Sequence, residues 1–162
     1  MGRYVRRGQD LVVDIALVGD TAWFVANLYE GLVDVPQLLI DSRPRRRPGL
    51  IAPGSPVRYF ALNGLVAIPA SGLALATAWR QGHRAAAGTA AGALGAAVAL
   101  SGFLIRTVNV PLLTGNEGLP PARLSGLKAR WHAANALRLL ALGAGIVAIE
   151  RTRFRRERDE RP

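Results

Sequence analysis

Four apolar runs, each about as long as a membrane-spanning helix, constrain the fold of this chain more than any other feature. They cover about residues 11–32, 59–79, 85–105 and 131–149 of the 162, and connectors rich in arginine or proline separate them. A helix rises about 1.5 Å per residue, so roughly 20 apolar residues match the ~30 Å hydrocarbon core of a bilayer. The pattern predicts an all-α fold: an integral membrane four-helix bundle, up-down-up-down, in one domain over residues 1–150, with a charged tail over 151–162.

The connectors agree with such a bundle. The second and third runs are joined by the short link RQGH, which forces the two helices to be antiparallel neighbours. The first and third links are long, and their prolines and glycines prevent either from forming one continuous helix. In the third run, Gly88 and Gly92 form a G-x-x-x-G pair, which predicts that a neighbouring helix approaches closely and that this span is central in the bundle.

The basic residues indicate a membrane rather than a nucleic acid as partner. The chain has 21 Lys and Arg against 11 Asp and Glu, a balance that in a soluble protein would suggest nucleic-acid binding. Here most arginines flank the apolar runs, where they set topology and bind anionic headgroups, so we predict contact with the lipid bilayer and none with nucleic acid. Eleven basic residues fall on the side of the two termini and eight on the side of the long links. This bias favours a multi-pass protein of the cell membrane with cytoplasmic termini, while nothing indicates an oligomeric state.

Polar side chains within the spans concentrate at one depth. They are Asn27, Glu30 and Asp34 at the end of the first span, Tyr59 and Asn63 at the start of the second, Arg106 and Asn109 at the end of the third, and Trp131, His132, Asn135 and Arg138 at the start of the fourth. In an up-down-up-down bundle these four places lie on the same side of the membrane. We therefore predict that the side chains converge on one site that faces the two long links.

The residue types favour acid–base chemistry together with stabilisation of an anion. The chain has no cysteine and two histidines on opposite sides, so neither a serine triad nor a metal motif is recognisable, and we predict no metal. His132 is the natural base at neutral pH, with Glu30 or Asp34 as the alternative, and arginines with amides can hold an anion. The predicted catalytic residues are His132, Glu30, Arg138 and Arg106, and the predicted substrate-binding residues are Asn27, Asp34, Tyr59, Asn63, Asn109, Trp131 and Asn135.

Two segments resemble a known family. NVPLL, from Asn109 to Leu113, and RWHAANALR, from Arg130 to Arg138, are similar to the N-V-P-L-N and R-W-x-x-W-N-x-x-R segments of the anthrone oxygenase-like family of small four-span membrane proteins. Pro36 also stands where that family has a proline. The chain departs from the pattern at Leu113, where an asparagine is usual, and at Ala134, where a tryptophan is usual.

The resemblance implies a reaction as well as a fold. Members with an assigned activity oxidise anthrones to anthraquinones in aromatic polyketide pathways, with molecular oxygen as co-substrate and no recognised metal or flavin. It implies that His132 or Glu30 removes a proton from a small, apolar aromatic substrate, and that Arg138, Arg106, Asn109 and Asn135 position the anion. A polyketide cyclase or isomerase in the same pocket, a non-catalytic accessory protein whose polar residues hold the helices together, and a small proton-coupled transporter remain alternatives.

Overall fold

The computed structural model describes residues 2–41, 56–115 and 119–159, and within these ranges its regular structure is entirely helical. The α-helices are α1 (Gly2–Leu32), α2 (Val35–Asp41), α3 (Pro56–Arg80), α4 (Arg84–Leu104), α5 (Val110–Gly115) and α6 (Pro121–Asp159), and a π-helical turn (Ile105–Asn109) joins α4 to α5. The predicted all-α class is confirmed.

Four of these helices are long and apolar enough to cross a membrane. The segments are Gly8–Leu32, Phe60–Arg80, Arg84–Leu112 and Pro121–Arg153. Their outward faces carry large apolar side chains: Val18, Leu65 and Leu140 are each about 70% exposed. A water-soluble bundle would bury such residues, whereas lipid accepts them, so the exposed surface fits a multi-pass membrane protein in contact with a bilayer.

The four long helices form a square bundle. α1 packs against α3 and α6, α4 packs against the same two helices, and the diagonal pair α3 and α6 barely touch. Gly82, with a φ of 91°, makes the tight turn between α3 and α4 that the short second link predicts. This ring of neighbours leaves an interior that all four helices border, and it agrees with the predicted four-helix bundle.

Small residues let neighbouring helices approach closely, but they are not the predicted ones. A Cβ atom on Gly19 of α1 would lie 2.6 Å from the Cβ of Ala67 in α3, and one on Gly145 of α6 would lie 2.8 Å from a methyl of Leu94 in α4. By contrast, a Cβ on Gly92 would meet no atom within 4 Å. The prediction that the G-x-x-x-G pair forms the close contact is therefore wrong. Both of its glycines lie on the exposed face of α4, and the buried face opposite consists mostly of alanines.

The two long links fold partly as helices, which moves the predicted boundaries. α6 begins at Pro121, a favourable first position for a helix, rather than near residue 131. Its early turns bury Leu127 and Trp131 in a second small core, against which Val35 and Leu39 of α2 pack. At the other end α6 continues past residue 150, where Thr152 is buried and the Arg153 Nη1 atom lies 2.9 Å from the Asp14 Oδ1 atom.

Candidate functional site

A pocket of about 350 Å³ opens between α3 and α4 in the half of the bundle that adjoins the two long links. Its rim consists of small and aliphatic residues: Ala61, Gly64 and Ile68 of α3, Val98 and Gly102 of α4, and Ile105 of the π-helical turn. Most of them are exposed on the outer surface of segments long and apolar enough to span the membrane. The pocket therefore opens sideways, toward the face of the bundle that contacts lipid.

The deep wall of this pocket is polar and aromatic. α1 contributes Trp23 and Glu30, and α6 contributes Trp131 and Arg138. The ring of Phe60, at the start of α3, lies 6.0 Å from the Arg138 Cζ atom, within the range of a cation–π contact. The pocket thus combines an apolar opening with a charged interior.

Arg138 is held by three side chains. Its Nε and Nη2 atoms donate to the Asn135 Oδ1 atom at 3.2 and 2.7 Å, Nη2 also donates to the Glu30 Oε2 atom at 3.4 Å, and Nη1 donates to the Ser101 Oγ atom at 3.4 Å. A guanidinium carries five N–H groups, and these contacts use four of them. One Nη1 N–H group therefore has no partner within the described part of the chain and is available to a molecule in the pocket.

Glu30 and Arg138 form a buried ion pair. Their side chains are only 13% and 7% exposed, and both line the pocket. Moving two charges out of water costs more free energy than a loose pair returns, so such a pair persists only when further hydrogen bonds support it. Asn135 and Ser101 supply these bonds on the arginine side. The Glu30 Oε1 atom makes no hydrogen bond with the described residues, so the carboxylate has an acceptor left for a ligand.

Two buried asparagines position Arg138 from behind. The Asn135 Nδ2 atom donates to the Asn27 carbonyl oxygen at 3.1 Å, and the Asn27 Nδ2 atom donates to the Trp23 carbonyl oxygen at 2.7 Å. Gly31 leaves the space for this contact, since a Cβ there would lie 3.1 Å from the Asn135 Nδ2 atom. The bond from Asn135 joins α6 to α1, and the bond within α1 orients the Asn27 side chain, so the depth at which Arg138 enters the pocket is fixed.

The π-helical turn places Asn109 on the pocket. Pro111 has no N–H group, and its ring would collide with the carbonyl of Thr107 in a regular α-helix. The chain instead widens over Ile105–Asn109, and the Val110 N–H donates to the Ile105 carbonyl. Turns of this kind are frequent at functional sites. Asn109 lines the pocket, and its Oδ1 atom is buried without a hydrogen-bond partner in the described structure.

A second polar group lies outside the pocket. The Asp34 carboxylate contacts the Lys128 ammonium at 2.5 Å and the His132 Nε2 atom at 3.0 Å, and Lys128 also donates to the Gln37 side chain. Asp34 has a φ of 52° and makes the turn from α1 into α2. The hydrogen bond from Lys128 lowers the pKa of the Asp34 carboxyl, and His132 contributes in the same direction. This group ties α2 to α6.

The structure therefore divides the predicted site. Glu30, Asn109, Trp131 and Arg138 line the pocket, and Asn27 and Asn135 stand behind Arg138. His132 and Asp34 pair with each other away from the pocket lining, so the expectation of a single polar cluster is wrong for these two.

Two further predicted residues, Asn63 and Arg106, do not line the pocket, and the side chain of a third, Tyr59, is not described. The Asn63 Nδ2 atom donates to the Gly19 carbonyl oxygen at 3.2 Å and so joins α3 to α1. Arg106 is exposed and is not part of the pocket lining, because it follows Ile105 around the π-helical turn. Tyr59 is in α3, but its side chain lies outside the described residues.

Sequence reasoning missed Ser101, Phe60 and Trp23 as pocket residues. Ser101 carried a usable signal, since it is a single hydroxyl within the apolar stretch AVALSGFL. The partner of Asp20 was not predicted either. The Asp20 Oδ2 atom accepts a hydrogen bond of 2.9 Å from the Ser71 Oγ atom in the bundle interior. That pair satisfies a carboxyl group that would otherwise be buried without a partner.

Comparison of the chain with protein-family models, with curated proteins and with solved structures gives no match. Within the described ranges, no three His, Cys, Asp or Glu side chains come together in a way that could hold a metal ion.

Proposed function

We propose that the protein is a membrane-embedded enzyme that takes a flat, apolar aromatic molecule from the bilayer and removes a proton from it. One observation carries the proposal: a pocket with an apolar, lipid-facing opening ends at the buried Glu30–Arg138 pair. A pocket of about 350 Å³ is within the usual range for small-molecule sites. A substrate dissolved in lipid reaches this opening without crossing water.

In this proposal Glu30 is the base and Arg138 holds the product anion. The Glu30 carboxylate accepts a proton from an acidic ring C–H, and the charge moves to the carbonyl oxygen of the substrate. The available Nη1 N–H of Arg138 donates to that oxygen. His132, the base first expected from the sequence, bonds to Asp34 outside the pocket lining, which favours Glu30 for this role.

The reaction we propose is the one that the resemblance to anthrone oxygenases implies. The anion of an anthrone reacts with molecular oxygen at the ring carbon that lost the proton and forms a peroxide anion there, which takes the proton back from Glu30 and becomes a hydroperoxide. Loss of water across the remaining C–H bond and the O–O bond then gives a second carbonyl. The balance is anthrone plus O₂ giving anthraquinone plus water, so the methylene carbon is oxidised and oxygen is reduced. No metal or flavin enters this scheme.

A turnover assay with a matched pair of glycine variants tests the proposal. Membranes containing the protein are incubated with an anthrone in air, and anthraquinone is measured above the rate of membranes without the protein. Gly102→Leu fills the pocket rim, whereas Gly92→Leu adds the same side chain to an exposed face of α4 away from the pocket; a Cβ at either position meets no atom within 4 Å. We expect turnover to fall at least tenfold in the first variant and to stay within twofold in the second.

Three outcomes would contradict this account in different ways. Equal turnover in both glycine variants would mean that the pocket does not receive the substrate. Absence of turnover in the wild-type protein, with an isomerised or cyclised product instead, would favour the cyclase alternative. Loss of turnover on addition of a chelator would contradict the metal-free scheme.

We further propose that both termini are cytoplasmic, because eleven of the basic residues outside the spans lie on their side and eight on the other. The chain has no cysteine, so single cysteines report on sidedness cleanly. Gly8→Cys lies near the N-terminal end of α1, and Ser125→Cys lies in the early turns of α6 on the opposite side. An impermeant maleimide should label intact cells that carry the second variant and not the first; the reverse labelling would contradict the orientation.

A further inference from the structure

A second cavity, separate from the pocket described above, lies in the groove between the α4–α5 junction and α6. It also measures about 350 Å³, and its lining consists of Thr107 and Pro111 on one side and Arg123, Gly126, Leu127 and Arg130 on the other. The four residues of α6 follow the spacing 0, 3, 4 and 7, so they occupy one face of that helix. Nothing in the proposed reaction uses this cavity.

The two charged residues that line the cavity are both basic. Arg123 and Arg130 are its two charged lining residues, both are exposed, and neither makes an ion pair with the described residues. They stand about 10 Å apart along the helix, at 1.5 Å per residue, with Gly126 leaving the space between them open. Two guanidinium groups on one concave surface are suited to a phosphate, whose oxygens accept several N–H bonds at once.

The surroundings of the cavity favour a lipid as the source of that phosphate. Arg123 and Arg130 lie in the early turns of α6, ahead of the apolar run that starts at Trp131, and this position places them at headgroup depth. One helical turn below Thr107, Phe103 is 44% exposed, and two turns below Arg130, Leu137 is 56% exposed on the same face of α6. An acyl chain can lie on these two side chains while its phosphate occupies the cavity.

We infer that this cavity binds the phosphate group of an anionic phospholipid, with Arg123 and Arg130 as the ligands of the phosphate. The site is independent of the proposed enzyme activity and can be present whether or not that activity exists. Basic pockets between membrane helices are a recurrent form of lipid headgroup site.

The test measures lipid binding to the purified full-length protein by native mass spectrometry. Phosphatidylglycerol, phosphatidylcholine and inorganic phosphate are titrated separately. Arg123→Gln and Arg130→Gln remove one ligand each, and Arg58→Gln removes an exposed arginine at the start of α3, on the same side of the membrane, as the charge-matched control. Gly126→Leu fills the cavity without changing any charge, and a Cβ there meets no atom within 4 Å, so the fold accommodates it.

We expect phosphatidylglycerol to bind, and each cavity arginine variant to weaken that binding about tenfold, the effect of losing one charge-assisted hydrogen bond. Gly126→Leu should weaken it by at least as much, while Arg58→Gln should change it less than twofold. Equal weakening by Arg58→Gln, or full binding by Gly126→Leu, would overturn the site in favour of diffuse surface charge. Binding of inorganic phosphate in preference to phosphatidylglycerol would overturn the lipid assignment and leave a site for a soluble anion.

Discussion

Two carboxylates near the junction of α1 and α2, four residues apart in the sequence, have contrasting surroundings. Glu30 pairs with Arg138 inside the bundle, where both side chains are less than 15% exposed. Asp34 pairs with Lys128 and His132, and these three side chains are 34–40% exposed. A buried pair leaves an uncompensated charge when one partner is removed, whereas an exposed pair is screened by water and contributes little. One ion-paired carboxylate therefore lines a pocket, and the other joins two helices.

The largest expected effect is that of Arg138→Met. Removing the guanidinium leaves the Glu30 carboxylate buried without a cation, so we expect a loss of roughly 3–5 kcal/mol in the free energy of unfolding and loss of turnover. Denaturant titration in a mild detergent measures the first quantity. The double variant Glu30→Gln with Arg138→Met should recover much of the lost stability. If Arg138→Met alone is as stable as the wild-type protein, the pair is not buried as described.

Glu30→Gln should separate stability from activity. The amide has nearly the same volume and its oxygen can still accept from Arg138, but the guanidinium loses its counter-charge. We therefore expect the free energy of unfolding to fall by about 2–3 kcal/mol, less than in Arg138→Met. An amide cannot accept the substrate proton, and we expect turnover to fall by about 10²-fold or more. A variant that loses stability and activity in equal proportion would favour the purely structural reading of the pair.

Asp34→Asn should have a small effect that depends on pH. Since Lys128 and His132 lower the pKa of Asp34 in the folded protein, the stability that this carboxylate contributes is fully present above its ordinary pKa of 3.8 and is lost as the pH falls through the lowered value. We expect the variant to melt slightly below the wild-type protein at neutral pH. The difference should narrow as the pH is lowered from about 5 to about 3. A difference in melting temperature that stays constant over that range would exclude the charge as its cause. Asparagine tolerates the positive φ at this position, so the substitution does not strain the backbone.

His132→Gln should have the smallest effect. The side chain is 40% exposed and shares Asp34 with Lys128, so a neutral donor in its place leaves the main ion pair intact. We expect the melting temperature to change by no more than about 2 °C, a typical value for an exposed contact. A larger decrease, comparable with that of Arg138→Met, would remove the distinction between the two groups.

Periodicity and hydropathy predicted the regular parts of this molecule, namely the long helices and the turn between two of them. Four long apolar runs gave the helices, and the short link RQGH gave the antiparallel turn at Gly82. Asn27 and Glu30, three residues apart on the first span, lie toward the bundle interior as expected, because a continuous helix keeps such residues on one face.

Two of the errors at the site lie where the helical register is interrupted. Asp34 follows the end of α1, and its left-handed backbone turns the chain into α2, so its side chain leaves the helix face that Asn27 and Glu30 share. The π-helical turn before Pro111 changes the angle between successive residues, and Asn109 lines the pocket while Arg106 does not. Helical spacing cannot anticipate either break, although Pro111 was a visible sign of the second. Partners from distant helices, such as Ser71 for Asp20, become visible only once the helices are packed.

The most direct test of the central claim is a paired turnover measurement on Glu30→Gln and His132→Gln, in membranes with an anthrone and oxygen and at matched amounts of folded protein. If the Glu30–Arg138 pocket is the reaction site, His132→Gln keeps turnover within about twofold of the wild-type rate, and Glu30→Gln loses about 10²-fold or more. The opposite pattern, with Glu30→Gln active and His132→Gln inactive, would contradict the account and move the chemistry to the Asp34 group.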